Sequence, residues 1–182
     1  MNLHRLAQQR AAAGRPVRVG LIGAGKFGSM FLSQVPRMAG LDVTVIADLD
    51  PERARAACVT VGWDVARIAK TLFVASGAEA CAHPEIEVVV EATGVPAAGI
   101  HARAAICAKK HIVMVNVEAG VLAGPLLAEE AQAAGVVYSL AYGDQPALVC
   151  ELVEWARACG FDVASAGKGD QISAGLSCGH AR

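Results

Sequence analysis

The feature that most constrains the fold is a short apolar run over residues 17–22 that ends in Gly23-x-Gly25-x-x-Gly28. A helical pattern over residues 27–38 follows these glycines. Strand, glycine turn and helix in this order are the fingerprint of a dinucleotide-binding loop. The sequence therefore predicts a βαβ unit whose first turn can receive a nucleotide, with a glycine turn serving only strand–helix packing as the alternative.

The three glycines of this loop have separate expected tasks. Gly23 permits the tight turn out of the strand, Gly25 leaves the backbone open to a pyrophosphate, and Gly28 lets the helix pack close to the strand. The phosphates would lie on free N–H groups at the helix N-terminus, where the helix dipole favours negative charge. Within the loop, Ala24, Lys26 and Phe27 are predicted to contact the cofactor as well.

The composition excludes several other classes of protein. Hydrophobic residues make up 54% of the 182 residues, and the mean hydropathy is +0.43, but no uncharged apolar stretch reaches the roughly 18 residues of a membrane span. Lys and Arg number 16 against 17 Asp and Glu, which argues against a nucleic-acid partner. The six cysteines form no CxxC pair and the N-terminus has no signal-peptide pattern, so we expect a cytoplasmic protein with reduced thiols and no metal site.

Strands alternate with helices along the chain, which predicts an α/β fold of the Rossmann type. Strands are expected over 17–22, 42–47, 72–74, 86–91, 111–115, 136–140 and 161–166, and helices over 2–13, 27–38, 51–60, 65–70, 76–82, 96–109, 122–134 and 145–159. About six principal strands suit a doubly wound, mainly parallel sheet in the order 3-2-1-4-5-6, with helices on both faces. We expect a helical extension over 1–15, a nucleotide-binding domain over 16–169 and a disordered tail over 170–182.

The end of the second strand carries the residue that would select the cofactor. Asp48 follows the glycine loop by about 20 residues, as an acid that binds both ribose hydroxyls should, and this favours NAD. Arg53 and Arg55 follow closely, however, and either could pair with the 2′-phosphate of NADP. The residues alone leave the choice between NAD and NADP open. The remaining alternative is that Asp48 is a solvated acid in a turn and binds no cofactor.

Two further loops end strands at the same sheet edge. Thr93 and Gly94 follow the fourth principal strand and would contact the nicotinamide ribose, unless they form an ordinary turn. Asn116 and Glu118 follow the next strand and would face the nicotinamide or a substrate, with helix capping as an equal alternative. His101 and His111 lie beside apolar positions, and we assign neither a function.

Four motifs in order resemble one family. They are Gly23–Gly28, Val89–Gly94, Val115–Ala119 and Ala141–Ala147. Together they resemble the homoserine-dehydrogenase-like oxidoreductases over residues 15–169, in a branch similar to the deoxyxylulose-phosphate-reductoisomerase-like enzymes that often carry a SAF domain.

The resemblance implies an NAD(P)-dependent oxidoreductase, with NADP weakly favoured. It also implies a catalytic role for Lys168, which matches a lysine that leads towards the catalytic region. The chain departs from the family at Val117, where homoserine dehydrogenases have lysine, and at Gly120, where an acid is expected. The family pattern is lost after residue 169, so the chain looks truncated before a substrate domain.

The predicted function is hydride transfer to or from a small hydroxy or carbonyl substrate, with the dinucleotide on the glycine loop. The short chain alone is expected to be a poor catalyst. The alternative is a non-catalytic nucleotide-binding module with a regulatory role. A homo-oligomeric assembly is a further expectation, whereas nucleic acid and membrane are not expected as partners.

Overall fold

The computed structural model describes residues 2–142 and 145–167. The chain divides into two compact units, residues 1–141 and residues 142–182. The expected division into an extension, a nucleotide-binding domain and a tail stays a prediction, because the expected tail lies wholly outside the described residues.

The first unit is built on a parallel sheet. Its strands are β1 (Val17–Ile22), β2 (Leu41–Ala47), β3 (Leu72–Val74), β4 (Val88–Glu91), β5 (His111–Met114) and β6 (Tyr138–Leu140). All neighbouring strands pair in parallel, in the order β3-β2-β1-β4-β5-β6. The predicted doubly wound sheet is confirmed, and the reversal of strand order falls between β1 and β4.

Seven helices of the first unit connect these strands or precede them. They are α1 (Leu3–Ala12), α2 (Lys26–Gln34), α3 (Pro51–Thr60), α4 (Val65–Lys70), α5 (Gly77–Ala82), α6 (Ala98–Cys107) and α7 (Val117–Ala134). A 3₁₀ turn, Val35–Arg37, extends α2 to nearly the predicted length. The described part of the second unit contains α8 (Gln145–Ala158).

The sheet is covered on both faces, which explains the valine-rich strands. Side chains of β1 and β2 such as Leu21 and Ile46 form one core with α2, α3 and α4. Side chains that point to the other face of the sheet, among them Val89 and Ile112, form a second core with α5, α6 and α7. The loops at the carboxyl ends of the strands are therefore held by two packed layers.

Helix α7 begins five residues earlier than predicted. Gly120, Gly124 and Pro125 disfavour a helix by propensity, yet Asn116 caps the segment by accepting a hydrogen bond from the Ala119 N–H at 2.8 Å. The glycines let the helix lie close to β6, because a Cβ at Gly120 would come within 3.0 Å of the Leu140 side chain. Tertiary packing here overrides propensity.

The strand predicted over residues 161–166 is wrong. The described residues 161–167 have no regular secondary structure. Their alternating apolar pattern indicates a strand only when a neighbouring strand pairs with it, and none of the described residues does so.

Helix α1 is held at the end of the sheet opposite to the glycine loop. Arg10 forms an ion pair with Glu87 at 3.0 Å, and Arg18 of β1 approaches the same carboxylate at 3.4 Å. A Cβ at Gly40 would clash with the Ala7 carbonyl, so only glycine allows this approach. Among the described helices, none is both long and apolar enough to cross a bilayer.

Candidate functional site

The glycine loop has the steric properties that its spacing predicts. Gly23 has φ +95°, and a Cβ there would come within 2.9 Å of the Ala92 backbone. A Cβ at Gly28 would overlap the Gly23 carbonyl oxygen. At Gly25, by contrast, a Cβ would meet nothing within 4 Å. The first and third glycines therefore allow close packing, and the second borders open space.

The N-terminus of α2 presents backbone N–H groups beside that space. The Ser29 N–H donates to the Gly25 carbonyl at 2.8 Å, and this bond begins the helical ladder. Because a helix leaves its first N–H groups without partners inside the helix, the N–H groups of Gly25, Lys26 and Phe27 precede the ladder. They lie at the positive end of the helix dipole, which favours an anion.

Asp48 connects the end of β2 to the glycine loop. Its side chain is 4% exposed, and its Oδ2 accepts a hydrogen bond from the Ala24 N–H at 2.9 Å. Its Oδ1 accepts from the Asp50 N–H at 3.1 Å and from the Arg53 guanidinium. Burial opposes ionisation, but the two backbone N–H groups and the guanidinium outweigh it, so the pKa of Asp48 lies below its usual value.

The two candidate arginines have different surroundings. Arg53 pairs with Asp48 while its own side chain stays 65% exposed, so it can turn towards a ligand. Arg55 stacks over the Phe73 ring with 4.4 Å between the guanidinium carbon and the ring centroid, and it approaches Glu52 at 3.7 Å. The structure therefore places Arg53, and not Arg55, beside the predicted ribose site.

A cleft of about 240 Å³ lies along these residues at the carboxyl edge of the sheet. Its lining residues are Ile22, Gly23, Gly25, Ala47, Asp48, Leu49, Arg53, Ala75, Gly77, Ala92, Thr93, Val95 and His101. Five of the predicted site residues thus share one cleft. The open space at Gly25, the exposed helix N-terminus and the anchored carboxylate suit the pyrophosphate and ribose of a dinucleotide.

A buried carboxylate ends β4. Glu91 is 0% exposed, and its Oε1 accepts a hydrogen bond from the Thr93 hydroxyl. The same oxygen lies 3.3 Å from Nδ1 of His101 in α6. Gly94 follows with φ +72° and open space at its Cα, which only glycine tolerates without strain.

The carboxamide of Asn116 is engaged at both ends. Its oxygen caps α7 through the Ala119 N–H, and its Nδ2 donates to the Val95 carbonyl at 2.7 Å. The side chain is buried, and its contacts are those of the helix cap that the sequence analysis gave as the alternative to cofactor binding. Glu118 is exposed in the first turn of α7.

The remaining predicted residue, Lys168, lies outside the described residues, so its catalytic role stays a prediction. Sequence reasoning assigned no function to His101 or Glu91, and the structure places the His101 side chain in the lining of the cleft. A signal for His101 was present, because Ala98, Ala102 and Ala105 mark the buried stripe of α6. A histidine three residues after Ala98 belongs near that stripe.

No cluster of three or more potential metal ligands occurs in the described ranges. The cysteines that the structure describes are free thiols, with Cys58 and Cys81 buried and Cys107, Cys150 and Cys159 exposed. Burial raises the pKa of the Cys81 thiol to about 11, and the Glu91 carboxylate acts in the same direction.

Comparisons with known proteins agree with this geometry. An inositol 2-dehydrogenase of Acidothermus cellulolyticus is 35% identical over 126 residues, which cover 68% of this chain and 34% of the relative. The chain thus spans about a third of the length of that curated relative.

Solved structures share the fold. A homoserine dehydrogenase from Thiobacillus denitrificans superimposes with a TM-score of 0.59 and 26% identity, covering 69% of this chain and 29% of that protein. The WlbA dehydrogenase from Bordetella pertussis, in complex with NADH and UDP-GlcNAcA, gives a TM-score of 0.60 at 21% identity, covering 80% of this chain and 44% of that protein.

Two protein families match the chain in succession. The family described as the catalytic domain of oxidoreductase DRL matches residues 143–178. The family described as the NAD-binding domain of homoserine dehydrogenase matches residues 23–141, from the first glycine after β1 to the residue after β6. The predicted resemblance is confirmed, and the chain belongs to the homoserine dehydrogenase NAD-binding domain family.

Proposed function

We propose that the chain holds a nicotinamide dinucleotide for hydride transfer to or from a small hydroxy or carbonyl substrate, with the pyrophosphate on the glycine loop. The observation that carries this proposal is the open helix N-terminus at Gly25 directly beside the anchored carboxylate of Asp48. The N–H groups of Lys26 and Phe27 complete the phosphate cradle. Ala24 contributes by holding Asp48 in place through its N–H.

The adenosine ribose belongs beside Asp48 in this arrangement. A carboxylate offers about four acceptor positions, and three are engaged by the Ala24 and Asp50 N–H groups and Arg53. Ribose hydroxyls would take the fourth position or displace the exposed guanidinium. Both modes use a carboxylate that the fold already keeps ionised.

The nicotinamide belongs on the other side of the glycine loop, where the turns after β4 and β5 lie. A cofactor bound there would donate or accept the hydride. Gly94 leaves its backbone open to a ribose, and Thr93 keeps an acceptor position on its hydroxyl while it donates to Glu91. Asn116 holds the turn through Val95, and Glu118 lies exposed at the start of α7. Lys168 is proposed as the residue that meets an anionic substrate, on the family resemblance.

For the choice of cofactor we propose NADP, with Arg53 on the 2′-phosphate. Its exposed guanidinium would exchange the Asp48 carboxylate for a phosphate without losing a charge-assisted hydrogen bond. Arg53→Ala should weaken NADPH binding by about tenfold, or about 1.4 kcal/mol, and NADH binding much less. Arg55→Ala is the matched control, because that guanidinium stacks on Phe73. Tighter binding of NADH than NADPH by the wild type would show that Asp48, and not Arg53, determines the choice of cofactor.

The decisive experiment is a titration of the full chain with NADH, NADPH and ADP-ribose, followed by absorbance at 340 nm with small hydroxy and carbonyl substrates. Saturable binding supports the proposed cofactor site, and turnover supports the oxidoreductase. Binding of ADP-ribose and NAD(P)H without turnover would favour a regulatory nucleotide-binding module, which the same cleft could serve. The absence of all binding would contradict both functions.

The remaining proposals concern the setting of the protein. We propose a cytoplasmic protein that takes a small-molecule substrate and assembles as a homo-oligomer. Sedimentation of the purified chain with and without NADPH tests the assembly.

A further inference from the structure

The Glu91–His101 pair borders the cleft and has no task in the function proposed above. Glu91 is 0% exposed, and its Oε2 has no hydrogen-bond partner within the part of the chain that the structure describes. Its Oε1 accepts from the Thr93 hydroxyl and lies 3.3 Å from Nδ1 of His101. A buried carboxylate with so few donors needs each of them.

His101 is fixed in position by neighbours on two elements, β4 and α5. Glu91 at the end of β4 holds Nδ1, and the Cys81 thiol of α5 donates to the His101 carbonyl at 3.4 Å. A Cβ at Gly77 would lie 2.7 Å from Nε2, so only glycine leaves room for the imidazole there. The side chain is 26% exposed and lines the cleft. Nε2 has no hydrogen-bond partner among the described residues.

The carboxylate determines which ring nitrogen carries the proton. An ionised carboxylate only accepts hydrogen bonds, so Nδ1 must donate to Glu91. The neutral imidazole then presents Nε2 as an acceptor. The pair therefore places one oriented acceptor on the wall of a cleft whose other polar side chains are Asp48, Arg53 and Thr93.

This acceptor lies on the adenosine side of the proposed cofactor. Gly77 follows β3, the strand that pairs with β2, and the Asp48 N–H donates to the Val74 carbonyl at 3.1 Å. The ribose acid and the segment that contacts His101 are thus joined through neighbouring strand ends. A base attached to a ribose at Asp48 would reach this wall, whereas the nicotinamide would extend towards β4 and β5.

We propose that His101, oriented by Glu91, recognises the base of the dinucleotide by accepting a hydrogen bond from an exocyclic amino group at Nε2. Adenine carries a 6-amino donor at that position, and a 6-oxopurine carries an acceptor instead. An acceptor facing an acceptor leaves two lone pairs opposed, and sites that hydrogen-bond a ligand group reject analogues that lack it. The pair makes the cleft selective for aminopurine dinucleotides. This inference rests on the proposed function.

The test compares NADH with reduced nicotinamide hypoxanthine dinucleotide, in which an oxo group replaces the 6-amino group of the purine and N1 carries a proton. The full chain should bind NADH about three- to tenfold more tightly, the range of one net hydrogen bond. His101→Phe keeps a ring but removes the acceptor, and it should reduce the ratio of the two dissociation constants to about one. His111→Phe, at the opposite edge of the sheet, is the control and should keep the wild-type ratio.

Glu91→Gln tests the orienting role of the carboxylate. A carboxamide can donate to Nδ1 as well as accept from it, so both imidazole tautomers become available and the preference should shrink while NADH still binds. Circular dichroism establishes that each variant is folded. If Glu91→Gln does not fold, the wild-type and His101→Phe ratios decide alone.

The possible results separate this inference from the function on which it rests. Equal affinity of the wild type for both dinucleotides, or an unchanged preference in folded His101→Phe, overturns base recognition and leaves the cofactor site intact. Failure of the wild type to bind NADH, its hypoxanthine analogue and NADPH overturns both.

Discussion

The two sides of the glycine loop use their polar groups in different ways. On the side of β1 and β2, the N–H groups at Gly25 precede the helical ladder, and Arg53 is largely exposed. On the side of β4 and β5, the Thr93 hydroxyl is bonded to Glu91, and the Asn116 carboxamide is bonded at both ends. One side is open to a ligand, whereas the other is mostly satisfied within the fold.

This difference shows that a polar residue at the carboxyl edge of a parallel sheet is not in itself a ligand contact. The same edge supplies residues that bind and residues that hold the loops in place. Only the partners of each polar atom separate the two. Asn116 and Asp48 both follow strands, yet Asp48 lies beside the N-terminus of α2 while Asn116 joins two turns.

The largest effect is expected from removing the carboxamide of Asn116, on the side of β4 and β5. We call this the closed side, and the side of β1 and β2 the open side. Asn116→Ala removes the cap of α7 and one of the two donors to the Val95 carbonyl, which keeps the Ala98 N–H at 3.0 Å. The free energy of unfolding should fall by about 2–3 kcal/mol, measured by urea denaturation. Asp64→Ala removes an exposed cap of α4 and should cost only about 1 kcal/mol. A variant that unfolds like the wild type but no longer binds NADH would contradict the assignment of Asn116 to the closed side.

A slightly smaller loss is expected where the open loop meets its own helix. Gly28→Ala would push a Cβ against the Gly23 carbonyl, and such overpacking should cost about 2 kcal/mol of stability. Gly25→Ala serves as the control, because its Cβ would enter free space. Equal urea midpoints for the two variants would show that the helix shifts without cost.

A substitution at Gly25, on the open side, should change the affinity for the cofactor and not the stability of the fold. Gly25→Val places a branched side chain where the phosphates must approach, so the affinity for NADH should fall at least tenfold, or about 1.4 kcal/mol. The thermal midpoint should stay near that of the wild type, because a Cβ at Gly25 meets nothing within 4 Å. Isothermal titration calorimetry measures the NADH affinity, and differential scanning calorimetry measures the thermal midpoint. An unchanged NADH affinity in the folded variant would show that the glycine loop does not bind the cofactor.

The smallest effect is expected in acid. The pKa of Asp48 is lower in the fold than in the unfolded chain, so its stabilisation is complete above the usual value of 3.8 and is lost as the pH falls through the folded value. Asp48→Asn should make stability less dependent on pH below about 4. Exposed Glu85→Gln is the control, and identical acid unfolding curves for Asp48→Asn and the wild type would contradict the role of this carboxylate.

Local patterns were enough to predict the sheet order and the glycine loop. The apolar run before Gly23, the spacing to Gly28 and the position of Asp48 each depend on neighbours close in sequence or on strand ends that meet by topology. These features follow from backbone sterics and strand periodicity. The strand order therefore follows from the sequence pattern without knowledge of contacts between distant segments.

The errors come from contacts between distant segments. The start of α7 depends on a close approach between Gly120 and Leu140, which no propensity includes. The place of His101 depends on Glu91, 10 residues earlier in the chain, and on the missing side chain at Gly77, 24 residues earlier. The alternation over residues 161–166 has no paired strand among the described residues, so it indicates no strand by itself.

The contact between Gly28 and Gly23 has a consequence for the thermodynamics of association. The loop between them is fixed by the Gly23 N–H on the Ala47 carbonyl, by the Ala24 N–H on Asp48 and by the helix resting on the Gly23 oxygen. The conformational entropy of ordering this segment is therefore lost when the chain folds, and a ligand that arrives later does not lose it again. Association should proceed without a slow rearrangement of the loop, at a rate governed by encounter and orientation.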